Sequence, residues 1–277
     1  MPEIAYINGK FMPLEQATVS VEDRGYQFAD AVYEVVRTYC GRPFALDEHL
    51  ARLFRSLAAI QLEHSFTADN LKPLIVEAIQ RAGFPETLVY LQISRGVAKR
   101  HRGFPTGHEP VFVLTARALP DTRHIREKGI TVITVPDNRW GRCDIKSVGL
   151  LANVLAHHAA HQAGANDAVF VEADGAIAEA TAANVFIIHN GTLLTPPEGP
   201  KILSGITRGK ILEAARAAGI AAAERRVTKV ELLGADEAFL SSTTAEVVPI
   251  LAVDGHKIGA GPLAPRIYDQ FIKMFAS

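Results

Sequence analysis

The chain has 277 residues, of which 48% are hydrophobic and 21% are charged, and its formal net charge is -1. This balance is typical of a folded protein with an ample core and excludes an intrinsically disordered chain, and the length favours two domains over one. A near-neutral chain has no long-range field to attract nucleic acid or an anionic membrane. The composition therefore favours small-molecule chemistry.

Two further features concern location and redox state. The first residues do not form a basic segment followed by an apolar one, and no apolar run is long enough to span a bilayer, so we expect a cytoplasmic protein. Cys40 and Cys143 are too few and too far apart for a disulfide framework or a zinc site. Both are predicted to be reduced thiols.

The first part of the chain predicts a sheet that begins with a hairpin. Residues 4–11 alternate in polarity around Asn8-Gly9, a dipeptide typical of two-residue hairpin turns. Residues 31–39 predict another strand. Its alternation assigns one face to Tyr33, Val35 and Arg37 and the opposite face to Val32, Glu34 and Val36.

Two helices follow in the sequence. The apolar spacing over residues 47–60 predicts an amphipathic helix with Asp47 as its N-cap and with Arg52 beside the apolar stripe. Residues 68–82 predict a second helix, which ends at Gly83 because glycine is the usual residue just past a helix C-terminus.

Strands predicted over residues 88–94 and 111–116 are joined by a cationic loop at residues 99–105, which is called the basic loop below. A break in the pattern at residues 119–123 predicts a linker. The expected organisation is a smaller N-terminal α/β domain at residues 1–118 and a larger C-terminal domain at residues 124–277.

Lys146 lies between a predicted strand at residues 130–135 and a predicted helix at residues 149–161. Partial desolvation at such a turn disfavours the charged ammonium, and an amine of this kind can form a Schiff base with a carbonyl group. The alternative is that Lys146 only solvates the start of the helix, which is the commoner role of a lysine.

Three pieces of the sequence have the chemistry of a phosphate site. Thr207 precedes a helix predicted over residues 209–218, so its hydroxyl and the free backbone N–H groups there can meet an anion. Residues 241–244 supply hydroxyls and loop amides, and Arg52 supplies a fixed positive charge. Each piece also has an ordinary interpretation as a turn, a cap or the flank of a helix. The glycine motifs of nucleotide-binding loops are absent, so a nucleotide is not favoured.

Other charged side chains allow two interpretations each. Glu179 stands in a mostly uncharged stretch, where a carboxylate usually has a specific partner, although a solvent-facing strand position explains it equally well. His157 and His161 have helical spacing but no third ligand, so we expect no metal site. Arg100 and Arg102 of the basic loop suit either a carboxylate clamp or a solvated loop.

Together these segments resemble fold type IV of the pyridoxal phosphate enzymes, and within it the D-amino-acid aminotransferases. The resemblance covers nearly the whole chain, and the order and spacing of its motifs make chance a poor explanation. The motifs are EDRGYQFAD at residues 22–30, YEVV at 33–36, Glu48-His49 with Arg52-Leu53, RCDIK at 142–146, Glu179 with NVF at 184–186, GITR at 205–208 and STTAE at 242–246. The first motif is more typical of the D-specific group.

The resemblance implies a mixed α/β (α+β) fold of two domains, with the larger C-terminal domain built on a β-barrel-like core. It implies a transaminase that moves amino groups between D-amino acids, such as D-alanine and D-glutamate, and 2-oxo acids, such as pyruvate and 2-oxoglutarate. The implied cofactor is pyridoxal 5'-phosphate. The implied assembly is a homodimer with active sites near the subunit interface.

The resemblance also implies roles for individual residues. Lys146 matches the lysine that forms the Schiff base and moves the proton, and Glu179 matches the carboxylate that keeps the pyridine nitrogen protonated. Tyr33 matches a group that binds the substrate carboxylate. The rest of the implied cofactor site consists of Arg52, Leu203, Ile206, Thr207, Ser242 and Thr243.

The basic loop, which the family supplies from the partner subunit, departs from the family pattern. That pattern has an arginine and, two residues on, a histidine, whereas these positions here are Arg100 and Arg102, with His101 between them. The loop keeps its charge but loses a small titratable group. Arg37, on the Tyr33 face of its strand, is expected to reach a second carboxylate, so dicarboxylic substrates are favoured.

Two alternatives stay open. A branched-chain L-amino-acid aminotransferase or an aminodeoxychorismate-lyase-like enzyme shares the lysine, the glutamate and the phosphate site but lacks this basic loop. An idle pyridoxal phosphate-binding protein is the alternative from another class. The presence of Lys146 and Glu179 argues against it, because a pure binder has no need of an electron sink.

Overall fold

The computed structural model describes residues 2–275. The chain divides into two compact units. One contains the chain up to Pro120 and the short return Ile145–Gly149, and the other contains Asp121–Asp144 and the chain from Leu150 onwards. The linker expected at residues 119–123 includes this first division. The sequence prediction did not assign the segment Ile145–Gly149, which carries Lys146, to the first unit.

The first unit contains a six-stranded antiparallel sheet with the order β2-β1-β6-β5-β3-β4. Its strands are β1 (Ile4–Ile7), β2 (Lys10–Pro13), β3 (Ala31–Tyr39), β4 (Arg42–Pro43), β5 (Thr87–Ser94) and β6 (Val111–Ala118). The predicted hairpin is confirmed as β1 and β2. Asn8 and Gly9 between them have φ angles of 37° and 100°, as a tight hairpin turn requires.

In the described part of this unit three α-helices accompany the sheet, α1 (Arg24–Phe28), α2 (Leu46–Ala59) and α3 (Ala68–Ala82). The prediction for α3 is confirmed, including its end at Gly83. The prediction of Asp47 as N-cap is wrong, because α2 begins at Leu46 and its N-cap is Ala45, two residues earlier. Asp47 instead lies in the first turn, where a carboxylate suits the helix dipole, and it pairs with Lys72.

The core of the first unit lies between α2, α3 and one face of the sheet. The buried side chains include Leu50, Leu53 and Leu57 of α2, Leu71, Ile75 and Ile79 of α3, and Val32, Val36, Val89, Leu91, Ile93 and Leu114 of the strands. The alternation predicted for β3 is confirmed for residues 32–36, since Val32, Glu34 and Val36 are buried whereas Tyr33 and Val35 are half-buried. A carboxylate therefore lies on the core face.

The second unit contains nine strands and five helices among the residues described. The strands are β7 (Ile130–Pro136), β8 (Asp167–Val171), β9 (Ile177–Ala180), β10 (Asn184–His189), β11 (Thr192–Thr195), β12 (Ala222–Glu224), β13 (Glu237–Ser242), β14 (Glu246–Val253) and β15 (His256–Lys257). The helices are α4 (Arg123–Lys128), α5 (Leu151–Gln162), α6 (Ile206–Ala217), α7 (Lys229–Leu233) and α8 (Leu263–Lys273).

The second sheet is curled. Its strands follow the order β12-β11-β10-β13-β14-β7-β8-β9, with β15 beside β14. Although β9 ends this order and β10 lies near its other end, only three residues separate the two strands, and Ala180 N donates to Ala183 O at 2.8 Å. The sheet must therefore bend back on itself. This arrangement confirms the mixed α/β fold with a barrel-like C-terminal core.

Two smaller observations complete the fold. Across residues 2–275, the helices are too short or too polar for any of them to cross a bilayer. Cys40 and Cys143 are free thiols, as predicted.

Candidate active site

Lys146 belongs to the first unit, where hydrogen bonds hold its backbone against β3 and α2. Its carbonyl oxygen accepts from Tyr33 N at 3.0 Å, and its amide donates to Ser56 Oγ at 3.2 Å. The preceding Ile145 is buried in the core of the unit. Neighbouring strand and helix residues thus fix the position of the Lys146 backbone.

An aromatic pair lies beside the ammonium group of Lys146. Nζ is 4.2 Å from the centroid of the Tyr33 ring, a cation–π distance, and Tyr33 stacks on Tyr90 with centroids 5.6 Å apart. Burial, and then the charge of Tyr33, raise the pKa of Tyr90 to about 12. The hydroxyl of Tyr90 donates to Gln92 Oε1 at 2.6 Å. The sequence prediction missed Tyr90, although alternation along β5 places it on the face opposite the core.

Glu34, a fully buried carboxylate of β3, forms an ion network with two residues of α2. Arg52 donates to it in bidentate fashion, from Nε to Oε1 at 2.7 Å and from Nη2 to Oε2 at 2.9 Å. His49 Nδ1 is 2.8 Å from Oε2, and it carries the proton of that bond because an ionised carboxylate only accepts. Burial alone would raise the pKa of Glu34, but Arg52 and His49 lower it to about 2.

Arg52, expected to bind phosphate, is thus 4% exposed and engaged with Glu34. Glu34 and His49 were not among the predicted site residues. The signal that could have found them is Glu34 itself, because a carboxylate on the apolar face of a strand needs a cation. Its position opposite the amphipathic helix would then have indicated His49 and Arg52, which lie three residues apart on that helix.

This network predicts that stability falls in two stages on acidification. Burial lowers the pKa of His49 below its ordinary value of 6.5, so its contribution is complete above that value and is lost below it. The lowered pKa of Glu34 gives a second loss as the pH falls from 4.5 toward about 2. Urea unfolding at stepwise lower pH measures both stages. The variant His49→Gln should lack the first stage, and a curve parallel to that of the unchanged protein contradicts the assignment.

Glu179 lies in β9 of the second unit and is 8% exposed. Its Oε1 accepts from Arg139 Nη1 at 2.5 Å. Its Oε2 accepts from Leu203 N at 3.1 Å and from Asn184 Nδ2 at 3.3 Å. The expectation of cationic and N–H partners is therefore confirmed, and the solvent-facing alternative is wrong.

Arg139 is the cation of this site, and the sequence prediction missed it. It is 8% exposed, it donates from Nε to Asp137 Oδ1 at 3.0 Å, and it lies 4.3 Å from the centroid of the Phe170 ring. Burial alone would lower the pKa of Arg139, but Asp137 and Glu179 raise it above its ordinary value. The sequence did contain a signal for Arg139. Asp137 and Arg139 are two residues apart directly after the strand β7, and this spacing allows them to form an ion pair.

The predicted phosphate-binding helix begins at Ile206, three residues earlier than expected. Its N-cap is Gly205, which supplies no side-chain cap for the N–H groups of the first turn. A Cβ at Gly205 would overlap Oδ1 of Asn184, whose Nδ2 donates to Leu203 O at 3.0 Å. Glycine is thus needed where Asn184 crosses the chain, and Asn184 connects Glu179 with the start of α6.

The hydroxyl-rich loop after β13 lies at the same end of the second unit. Ser241 stands directly opposite Asn184 in the β10–β13 pair, so the loop that follows leaves the sheet beside Asn184. Ser242, the last residue of β13, accepts at Oγ from Ala245 N of that loop at 3.2 Å. Leu203, Ile206, Thr207, Ser242 and Thr243 therefore belong to segments that meet at one end of this unit, together with Glu179.

The basic loop belongs to the first unit, and its two arginines are exposed. The Arg100 guanidinium lies 4.4 Å from the centroid of Phe28, and its Nη1 donates to Gln27 O at 3.4 Å. Arg102 lies two residues further along. The loop thus presents its charge to solvent while Arg100 rests on α1.

Arg37, expected to reach a distal substrate carboxylate, is only 8% exposed. Its Nη2 donates to Glu86 Oε2 at 3.2 Å, and its guanidinium lies 4.1 Å from the centroid of Tyr39. A substrate carboxylate would have to compete with Glu86 for this side chain.

For residues 2–275, the structure shows no cluster of three His, Cys, Asp or Glu side chains suited to a metal. His157 Nδ1 is instead 3.7 Å from Asp167 Oδ1.

Comparison with known proteins identifies the family. The model of "Amino-transferase class IV" matches residues 31–253. The chain is 42% identical to D-alanine aminotransferase of Bacillus licheniformis over 258 residues, which cover 93% of this chain and 91% of that enzyme. It is 38% identical to D-alanine aminotransferase of Staphylococcus haemolyticus over 276 residues, covering 98% of each chain.

Solved structures agree with this result. The branched-chain aminotransferase of Thermoproteus uzoniensis is 27% identical, with a TM-score of 0.90 over 99% of this chain and 95% of that one. The branched-chain amino acid aminotransferase of Escherichia coli is 26% identical, with a TM-score of 0.90 over the same shares of the two chains. With the match of the family model over most of its length, the chain belongs to the class IV aminotransferases.

Proposed function

We propose that this aminotransferase uses pyridoxal 5'-phosphate to move amino groups between D-amino acids, such as D-alanine and D-glutamate, and 2-oxo acids, such as pyruvate and 2-oxoglutarate. The observation that carries the proposal is its 42% identity to an enzyme named D-alanine aminotransferase over 93% of the chain. The motif at residues 22–30 and the basic loop support the same substrate class.

The donor groups of the second unit suit the cofactor. A phosphate group needs N–H and hydroxyl donors, which the uncapped start of α6 and the loop after β13 supply. The residues proposed to hold the phosphate are Ile206, Thr207, Ser242 and Thr243, with Arg52 as a fixed positive charge. Leu203 is proposed to pack on the ring and Glu179 to bind the pyridine nitrogen.

The bound cofactor supplies an electron sink for negative charge that develops on the substrate Cα. Glu179 holds a proton on the pyridine nitrogen, since a buried carboxylate is a strong acceptor for a charged N–H group. Arg139 and the amide of Leu203 stabilise the charge of Glu179 and hold its orientation. Without these partners a buried carboxylate would favour its neutral form.

Lys146 is proposed to attach the cofactor and to move the proton at the substrate Cα. Both roles require a neutral amine at a fixed position. The hydrogen bonds of its backbone to Tyr33 and Ser56 provide that position.

The substrate carboxylate is proposed to bind Tyr33 of one subunit together with Arg100 and Arg102 of the basic loop, which the second copy of the chain in the proposed homodimer would supply. Two permanent cations in one loop repel each other, so an anion between them is stabilising. Planar guanidinium groups also match a carboxylate in bidentate fashion. Arg37 is proposed to bind the distal carboxylate of a dicarboxylic substrate. For this its hydrogen bond to Glu86 must be replaced by one to the substrate.

Arg100→Ala should raise KM for D-amino acids by roughly 5- to 150-fold, because charged hydrogen bonds worth about 1–3 kcal/mol are lost. An (R)-amine without a carboxylate should suffer less. Steady-state kinetics with both substrates measure the difference. An equal loss for amine and amino acid would show that Arg100 shapes the fold and does not bind carboxylate.

One experiment separates the proposed function from its alternatives. Purified protein loaded with pyridoxal phosphate is mixed with D-alanine, L-leucine or an (R)-amine, each with 2-oxoglutarate, and the glutamate formed is assigned to the D or L form. The proposed activity should yield D-glutamate from D-alanine and 2-oxoglutarate. L-Glutamate from L-leucine would instead establish the branched-chain alternative.

The alternatives have less support. Solved branched-chain aminotransferases share the fold at 26–27% identity, whereas the curated D-alanine aminotransferases named above reach 38–42%. An idle binding protein has no need of an electron sink, so Lys146 and the buried Glu179–Arg139 pair, which would stabilise a protonated ring nitrogen, argue against it.

A homodimer is also proposed. Leu151, Val154 and Leu155 of α5 are 71%, 60% and 56% exposed, and their spacing places them on one helix face. Exposed apolar stripes of this kind are typical of protein interfaces. Light scattering should give the mass of two chains, and a single-chain mass at micromolar concentration contradicts the proposal. The cytoplasmic location stays a prediction of the sequence.

A further inference from the structure

The motif at residues 22–30 has no part in the roles assigned so far, and the structure connects it to the basic loop. Asp23 caps α1, accepting from Gly25 N at 2.7 Å and from Ser94 Oγ at 2.7 Å. A Cβ on Gly25 would lie 3.0 Å from Ser94 Cβ and 3.2 Å from Ala31 Cβ, so glycine permits this close packing. The helix α1 is thereby fixed to β3 and β5.

A buried ion network follows at the end of the motif. Asp30 accepts from Arg24 Nε at 2.9 Å and from Arg95 Nε at 2.8 Å. The two arginines are 3% and 2% exposed. Burial alone would raise the pKa of Asp30, but Arg95 and Arg24 lower it. Because one carboxylate faces two buried cations, the remaining guanidinium N–H groups need other acceptors.

The two arginines find these acceptors in different places. Arg95 donates from Nη1 to Gln61 O at 2.9 Å and from Nη2 to Ile60 O at 2.6 Å, which holds the end of α2. Arg24 donates from Nη1 to His101 O at 2.6 Å, in the middle of the basic loop. Arg95 therefore directs its remaining hydrogen bonds to the end of α2, whereas Arg24 directs one to the backbone of the loop that carries Arg100 and Arg102.

Further contacts restrain the same loop. At its base Gly96 has a φ of 97°, and a Cβ there would overlap the carbonyl oxygen of Glu109 where the chain returns. Beyond His101, Phe104 lies with its centroid 3.8 Å from the Arg95 guanidinium. The loop is thus held at its base, its middle and its far side.

Phe28 of α1 contacts both Arg24 of the ion network and Arg100, the arginine proposed to bind the substrate carboxylate. The guanidinium of Arg24 lies 4.9 Å from the Phe28 centroid, and that of Arg100 lies 4.4 Å from it. A shift of Arg24 would therefore disturb both the backbone of the loop and the support of Arg100.

We propose that Arg24 is a positioning residue that holds the basic loop in its carboxylate-binding form and so sets the affinity for substrate; the substrate part rests on the proposed function. A loop already fixed before binding loses less conformational entropy when it binds. The loss of Arg24 should therefore weaken binding of a carboxylate without changing the chemical step.

The first test compares Arg24→Met with Arg55→Met, which removes an exposed arginine of the same unit. In Arg24→Met, Asp30 keeps Arg95, so no buried carboxylate is left unpaired. KM for D-alanine should rise by about 5- to 20-fold with kcat within about twofold, and Arg55→Met should change neither. Arg24→Lys, which retains the charge but replaces the guanidinium fork with a single ammonium group, should show an intermediate KM. An unchanged KM in Arg24→Met, or a fall in kcat alone, overturns the proposal.

The second test does not depend on activity. Lys99, Arg100 and Arg102 are exposed, so trypsin can report the mobility of the basic loop. In Arg24→Met, cleavage at residues 99–102 should accelerate by about fivefold or more while cleavage elsewhere keeps its rate. Uniform acceleration over the whole chain, or none, overturns the positioning role. If the unchanged protein fails to transaminate D-amino acids, the proposed function falls, and the proteolysis result still decides the role of Arg24.

Discussion

Lys146→Ala is expected to lower kcat/KM for transamination by at least about a thousandfold, or ~4 kcal/mol of transition-state stabilisation. The change removes both the amine proposed to attach the cofactor and the base proposed to move the proton. Tyr33, which lies beside the amine, carries a phenol hydroxyl, and a hydroxyl cannot form a Schiff base with the cofactor. The rate of keto-acid formation from D-alanine measures the loss.

Peptide mapping tests the same assignment chemically. Borohydride treatment of the cofactor-loaded protein should leave the pyridoxyl group on the peptide that contains Lys146. The exposed Lys128, changed to Ala, serves as the matched control and should keep both activity and labelling. A label on any other lysine, or near-normal activity of Lys146→Ala, would reject the assignment.

Glu179→Gln is expected to lower kcat by about a hundredfold, or ~2.7 kcal/mol, while the protein keeps its cofactor. A neutral amide cannot stabilise a protonated pyridine nitrogen as a carboxylate does, so the electron sink weakens. The fold should persist, because Arg139 retains Asp137 and the carbonyl of Lys201 as acceptors.

The absorbance of the bound cofactor and single-turnover rates separate binding from chemistry in this variant. Glu213→Gln, at an exposed position of α6, is the matched control and should behave as the unchanged protein. If kcat of Glu179→Gln stays within about twofold of normal, Glu179 does not act on the ring nitrogen.

The sequence alone determined what depends on local pattern and on motif order. Polarity alternation predicted β3, helical spacing predicted α3, and the dipeptide Asn8-Gly9 predicted the first hairpin, because side-chain periodicity and backbone preferences act over a few residues. Motif order indicated the family and singled out Lys146 and Glu179 before their surroundings were known.

Helix boundaries were less secure at the sequence level. The N-cap of α2 lies two residues before the predicted one, so Asp47 is a first-turn residue, and α6 begins three residues before its predicted position. Several nearby residues can cap a helix, and only the path of the preceding chain selects one of them. In α6 that path depends on Gly205, which leaves room for Asn184.

Only the tertiary structure decided which charges are partners. Glu34 meets His49 and Arg52, Glu179 meets Arg139, and Asp30 meets Arg24 and Arg95, across 6 to 65 residues of sequence. The sequence contains each charged residue. Whether that residue is buried, and which oppositely charged partner offsets the cost of burial, is decided only when strands and helices pack. The return of Ile145–Gly149 to the first unit is of the same kind, since its hydrogen bonds to Tyr33 and Ser56 join segments that have no local pattern in common.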